Sequence, residues 1–478
     1  MSISPPFTMT INGNSATAVE SFQVINPATE EKIADVADAT QAQLDEAVAA
    51  ARAAFPTWKS IPLAERQDLV RQLGDRLAEH ADAFAALLTR EQGKPLSEAK
   101  AEIGSAVYWL HETAKLAPPM EIVSEDAERR IEMRHTPVGV IGAISPWNFP
   151  VALAIWKIAP ALVAGNTLVL KPSPFTPLTS LKLGELARDL LPPGVFNVIS
   201  GTDRLGPWLT EHPDIDKIAF TGSTQTGKAI MRSASGSLKR ITLELGGNDP
   251  AVVLPDVDVE ALVPRLFWSA FGNNAQICVA TKRLYVHEAI YDRFAKALVD
   301  YARTVRTGDG SKPESQLGPV QNKLQYERVS KLLANARDTG VKFLLGGEVP
   351  HGKGYFIPVA IADNPPDDHP VVAEEAFGPV LPLLKFKDVD EVVRRANDTI
   401  YGLAASVWGQ DLDLAQSVAD RLDAGTVWVN TSLELSPYYA FGGHKQSGLG
   451  VENGLAGLLE YTNPQTVIVR RKAQPIPA

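Results

Sequence analysis

Residues 217–229 read KIAFTGSTQTGKA. An apolar strand pattern runs through Phe220 into Thr221-Gly222-Ser223-Thr224, and TQTGKAIMRSAS (224–235) continues with helical character. A strand delivering the chain into a helix N-terminus presents free backbone N–H groups and the positive end of the helix dipole to an anion. Gly222, Gly227 and Lys228 also fit G-x-x-x-x-G-K, but Ala229 stands where a phosphate loop needs Ser or Thr for Mg²⁺. No apolar run ending in Asp supplies a Walker-B partner, so a nucleotide triphosphatase is disfavoured. Taken alone, the segment reads equally as a pyrophosphate cradle on Gly222 and Ser223 or as a capped helix after a glycine turn.

On either side, VGVIGAIS (138–145), TLVLK (167–171), VFNVIS (195–200) and RITLEL (240–245) alternate with helical stretches such as PLTSLKLGELARDLL (177–191). Fully apolar strands alternating with helices imply a parallel sheet covered on both faces, with ligands at the strands' carboxyl ends. The pattern restarts at PAVVLP (250–255), through YDRFAKALVDYARTV (291–305) to GTVWVN (425–430), which reads as a second α/β domain. The first 120 residues read as helical. Thr40 is an N-cap candidate with Gln43 at the capping-box position, and residues 63–93 form a second helix that breaks once before Gly93. RRIEMRHTPV (129–138) and TNPQTVIVRR (462–471) alternate like exposed strands and suggest a small appendage that pairs with another subunit.

Hydrophobic content of 45% with 21% charged residues is that of a globular protein with a sizeable core. A net charge of −10 argues against nucleic acid as a partner. Cys278 is the only cysteine, so neither an intrachain disulfide nor a cysteine-based zinc site is expected, and no metal site is assigned. The N-terminal residues lack a basic n-region and an apolar h-region, so no signal peptide is expected. VALAIWKIAPALVAGNTLVL (151–170) is interrupted by Lys157, Pro160, Gly165 and Asn166, and reads as a buried helix followed by a buried strand. A soluble, cytoplasmic protein without membrane contact is the expectation.

Three further stretches carry chemistry. In ISPWNFP (144–150), Asn148 is either an oxyanion donor or an Asn favoured by turn geometry. In LELGGND (243–249), Glu244 at a strand end is either a general base of raised pKa or a surface turn residue, while Gly246 and Gly247 allow close backbone approach. In NNAQICVA (273–280), Cys278 is either a packed apolar residue beside Ile277 and Val279 or a thiolate nucleophile.

Together with LVLKPSPFTP (168–177), EEAFGPVLPL (374–383), ANDTIYGL (396–403), GQDLDLAQ (409–416) and FGGHKQSG (441–448), these segments resemble the aldehyde dehydrogenase superfamily over residues 15–472. The 34-residue interval from Glu244 to Cys278 is similar too. The resemblance implies an α/β fold of two doubly wound parallel-sheet domains, one dinucleotide-binding (1–118 and 138–245) and one catalytic (246–440). A small β oligomerisation appendage (119–137 and 460–478) completes it. It further implies Cys278 as nucleophile, Glu244 as general base, Asn148 as oxyanion donor and Lys157 in positioning or proton relay. Ser145, Trp147, Lys171, Ser173, Gly222, Ser223, Leu245, Glu375 and Phe377 would meet the dinucleotide. Phe149, Ala152, Trp156, Ile277, Val279, Leu435, Tyr439 and Phe441 would line the substrate channel, whose apolar character points to a medium-chain aliphatic or aromatic aldehyde.

The implied activity is NAD(P)-dependent, non-acylating oxidation of an aldehyde to its acid, by a homodimer or homotetramer. The alternatives are a CoA-acylating relative, against which Glu244 speaks, and a silent protein on the same fold, against which the retention of Cys278, Glu244 and Asn148 speaks. The pattern departs at Pro174, where a family glutamate bonds the adenosine ribose. That opens the choice between NAD and NADP, and the absence of a compensating arginine nearby leans it to NAD. Asn248 and His444 also depart, outside the implied site.

Overall fold

Val140–Ile144, Thr167–Lys171, Phe196–Val198, Lys217–Thr221 and Arg240–Glu244 are short strands with mostly buried side chains, as strands covered by helices on both faces must be. In the computed structural model, which describes residue 3 and residues 5–471, they pair in parallel. The order is 196–198, 167–171, 140–144, 217–221, 240–244. Chain order reverses between 140–144 and 217–221, and the crevice beyond their carboxyl ends is where such sheets receive ligands. The hairpin Met9–Ile11/Asn14–Ala16 extends one edge and Gly448–Leu449 the other, giving eight strands.

A second sheet of seven strands holds Ala360–Asp363, Val380–Phe386, Thr281–His287, Asp249–Val253, Ala404–Trp408 and Thr426–Val429 in parallel, with Phe343–Leu345 antiparallel at one edge. Successive side chains of a strand point to opposite faces. Accordingly Ala251 and Val253 join a core with Phe267 and Phe294, while Val252 joins another with Val329 and Leu333. The protein is therefore α/β with two mainly parallel sheets. Thr462–Arg470 and Arg129–Pro137 pair with each other over nine residues, with Glu121–Glu125 on the far side. Residues 472–478 of the anticipated appendage lie outside the described residues.

Local signals hold where the sequence is explicit. The Thr40 hydroxyl accepts from Gln43 N–H at 3.3 Å and the Gln43 amide oxygen accepts from Thr40 N–H at 3.1 Å, capping Gln41–Ser60. The following stretch breaks at His80 into Leu63–Glu79 and Ala81–Gln92, and Gly93 ends it with φ of +96°. The expectation of an all-helical N-terminal region fails for residues 9–37, which form two hairpins. Asn12 and Gly13, both at positive φ, make the two-residue turn of the first, an Asn-Gly signal left unused. The interrupted apolar segment becomes the helix Ala152–Ala164 and the strand Thr167–Lys171. Among the described residues no helix is long and apolar enough to cross a membrane.

Candidate active site

The helix Val259–Phe271 ends in a turn whose residues Asn273, Asn274 and Ala275 have φ of +47°, +56° and +61°. Asparagine tolerates this left-handed region; alanine enters it at about 1–2 kcal/mol. The turn is held by hydrogen bonds. Gln276 Nε2 donates to Asn273 O at 2.9 Å, and Gln276 Oε1 accepts from Gln321 N–H at 2.8 Å. Asn148 is tied to the same turn: its Nδ2 donates to Gln276 O at 2.9 Å, and its carbonyl accepts from Asn273 Nδ2 at 3.1 Å. One amide N–H of Asn148 is thus spent on the turn, and an amide carries two.

This arrangement sets Cys278 at the wall shared by two cavities. The first, about 400 Å³, is lined by Phe149, Ala152, Trp156, Ile277, Val279, Leu435 and Phe441 of the anticipated channel, and also by Trp109 and Leu433. Trp109 stacks on Trp156, and Phe441 meets Trp156 edge-on, both with centroids 5.6 Å apart. Tyr439 does not join them: it is exposed and its hydroxyl donates to Glu434 O, because the 431–441 loop turns this ring outward. The second cavity, about 150 Å³, is lined by Trp147, Asn148, Gly222, Ser223, Leu245, Glu375 and Phe377. It adjoins a third of about 520 Å³ that holds Ser145, Lys171, Ser173 and Pro174 and shares Trp147, Gly222 and Ser223. Both open at the strand-order reversal.

Burial pushes the Cys278 thiol up to about 12; Lys282 works against this, while Asp249, Glu244 and Glu375 add to it. Glu244 ends its strand fully buried, and neither carboxylate oxygen has a hydrogen-bond partner. Burial first and then the charge of Glu452 raise it well above the usual carboxylate range, with Lys157 pulling the other way. Lys157 does not reach the thiol's cavities: its Nζ lies 2.5 Å from Glu452 Oε1 and donates to Thr221 Oγ1 at 2.7 Å. Glu452, which lines the apolar cavity beside Glu244, was missed from sequence. It is the only charged residue between Lys445 and Glu460 and is 1% exposed.

On the crevice side, Ser223 caps Thr224–Ser235, its hydroxyl accepting from Thr226 N–H at 3.2 Å. Trp147 meets Phe377 edge-on at 5.3 Å, with Phe377 at φ of +50°. The Ser145 hydroxyl is buried without a partner, and Lys171 is pushed down to about 8 by burial, opposed by Asp203 and Asp38. Glu375 accepts from Gly247 N–H at 3.2 Å.

Residues 14–467 match the family described as the aldehyde dehydrogenase family. The chain belongs to it. A probable aldehyde dehydrogenase of a Pseudomonas species is 43% identical, covering 98% of this chain and 95% of the relative. An aldehyde dehydrogenase of Bacillus cereus solved as an NAD⁺ complex superposes with a TM-score of 0.94 at 39% identity, covering 97% of this chain and 96% of the other. An NADP-dependent enzyme of E. coli superposes with a TM-score of 0.93 at 36% identity, covering 97% and 98%.

Pro174 lines the 520 Å³ cavity, whose charged linings among the described residues are Lys171, Asp203 and Glu211. Asn248 Nδ2 donates to Val372 O at 2.8 Å, and His444 pairs with Asp423 on the surface. Both lie outside the two cavities that share Cys278 and the third that adjoins them.

Proposed function

We propose that this aldehyde dehydrogenase oxidises an apolar aldehyde to its carboxylic acid with NAD⁺ or NADP⁺ through an acyl group carried on Cys278. The supporting observation is the thiol's place between an aromatic cavity and the crevice at the strand ends. The crevice suits a dinucleotide: a capped helix N-terminus faces it, Lys171 supplies a cation, and the Ser145 hydroxyl is an unused polar group. Trp147, Ser173, Gly222, Ser223, Leu245, Glu375 and Phe377 would hold the cofactor along it. A nicotinamide dinucleotide held there would supply a hydride acceptor.

Cys278 gives up its proton to solvent, and the thiolate so formed adds to the aldehyde carbon and gives a thiohemiacetal on Sγ. The second amide N–H of Asn148 and the Cys278 backbone N–H receive its oxyanion, and losing one such donor typically costs about 10²–10³ in rate. Once the carbon is oxidised, a thioester remains on Sγ. Glu244 takes a proton from the attacking water, and the acid leaves with the thiolate restored. A carboxylate raised by burial is a stronger base than an exposed one, which suits Glu244 to that water. Lys157 anchors Glu452 beside it.

The apolar cavity carries no charged lining among the described residues except Glu244 and Glu452, which supports medium-chain aliphatic or aromatic aldehydes. Asp203 and Glu211 beside Lys171 support NAD⁺, since a 2′-phosphate would meet two carboxylates. Residues 1–118 and 138–245 would serve the dinucleotide and 246–440 the chemistry. The exposed Ile122, Val123, Ile468 and Val469 of the small sheet support pairing between subunits in a dimer or tetramer. The test is reduced-dinucleotide and acid production across an aldehyde panel with each cofactor and no CoA. Comparable kcat/KM for glycolaldehyde and for octanal or benzaldehyde would overturn the substrate class, and no acid without CoA would overturn hydrolysis.

A further inference from the structure

We propose that Lys282 is the positioning residue for the nucleophile: its ammonium pins the turn that carries Cys278 and supplies the positive charge beside the thiol. The inference rests on Cys278 being the nucleophile. Lys282 lies in the strand Thr281–His287, which pairs with Asp249–Val253, so the sheet sets its backbone. Its side chain is only 7% exposed. Its Nζ donates to Cys278 O at 2.6 Å, to Ile277 O at 3.0 Å and to Ala280 O at 3.4 Å. An ammonium has three donors, and all three go to this one turn.

The fourth neighbour is Glu375, with Oε1 3.6 Å from Nζ. Glu375 also accepts from Gly247 N–H, and a Cβ on Gly247 would meet Cys278 O at 2.9 Å. The lysine therefore joins the cysteine turn to the carboxylate lining the crevice. The charged groups acting on the thiol are Lys282, Asp249, Glu244 and Glu375. Three are acidic, so Lys282 is the cation that offsets them. A lysine serving only as a staple for the turn would be replaceable by any side chain that donates to carbonyls. A lysine acting through charge would not.

Because the chain has one cysteine, iodoacetamide labelling of the full-length protein, followed by intact mass, reads this thiol alone. A nearby opposite charge typically shifts an ionisation by about 1–3 units. At a pH below the thiol's pKa, the thiolate fraction falls tenfold per unit of upward shift. Lys282→Gln, which keeps a donor and loses the charge, should therefore label at least about tenfold more slowly at pH 8. Lys282→Arg should stay within about threefold of the parent. Glu375→Gln, which removes an opposing charge, should label faster and serves as a second variant should Lys282→Gln fail to fold. Parent-like labelling of Lys282→Gln, or slower or unchanged labelling of Glu375→Gln, overturns the inference. Absence of dehydrogenase turnover in the parent would instead sink the proposed function, and the labelling rates would still be read.

Discussion

Glu102→Ala tests what holds Asn148, the proposed oxyanion donor, in place. Lys94 and Glu102 form an ion pair at 2.6 Å with both side chains 0% exposed. The other oxygen of Glu102 accepts from Val151 N–H at 3.0 Å and Ala152 N–H at 3.2 Å, capping a helix whose own N-cap, Val151, has no side-chain bond to give. Lys94 Nζ donates to Asn148 O at 3.0 Å and lies 3.8 Å from the centre of the Phe149 ring. Removing the carboxylate breaks a buried ion pair and leaves Lys94 the charge of Glu98 alone, which costs roughly 3–5 kcal/mol, and a lost cap adds about 1 kcal/mol. At about 2–4 °C per kcal/mol for a cooperative unit of 150–250 residues, Tm should fall by roughly 10–20 °C. With Asn148 loosened, kcat should fall by up to about 10²–10³, the worth of one oxyanion donor. The assay is differential scanning calorimetry together with steady-state kinetics. Lys94→Met/Glu102→Leu, which removes both partners of the ion pair, should be less destabilised than Glu102→Ala. A Tm loss under about 3 °C, or a double variant worse than the single, would refute the reasoning.

Glu244→Gln keeps the side-chain shape and removes the proposed base. A burst of reduced dinucleotide should precede a steady state slowed by about 10²–10⁴, and an unchanged steady state would contradict the role. Glu244 binds its proton more tightly folded than unfolded, so the stability of the neutral form is present at low pH and is lost as pH rises through the folded value. The Gln variant has no such loss, and its Tm relative to the parent should rise as pH climbs from the ordinary carboxylate range towards the raised value of Glu244; a falling difference would refute the buried placement. Pro174→Glu adds a third carboxylate to the cavity lined by Asp203 and Glu211. It should raise the NAD-to-NADP ratio of kcat/KM by about tenfold, equivalent to about 1.4 kcal/mol. A constant ratio would assign the preference to other residues.

Much of the fold was legible because its signals are local. The apolar strands 138–145, 167–171 and 217–221, the Thr40–Gln43 box and Gly93 all follow from short-range chemistry. The Asn12–Gly13 hairpin is equally local, but its strands, Met9–Ile11 and Asn14–Ala16, are too short to show an alternating pattern. Cys278 itself was ambiguous, because Ile277 and Val279 are equally the neighbours of a packed thiol and the walls of a cavity. Only the meeting of strand ends far apart in sequence separates those readings. Glu452 and Lys282 were not legible for the same reason: one reaches Lys157 across 295 positions, and the other acts through backbone carbonyls that no motif records. Tyr439 shows the converse, a ring of the right type in a loop that turns it to solvent.

The central claim is that the carbon being oxidised becomes covalently attached to Cys278 between the two cavities. Glu244→Gln, mixed with octanal and the dinucleotide and acid-quenched during the burst, should show a mass gain equal to an octanoyl group replacing one hydrogen. Peptide mapping should put it on Cys278. A burst of reduced dinucleotide with no acyl group on that peptide, or with the acyl group elsewhere, would contradict the account.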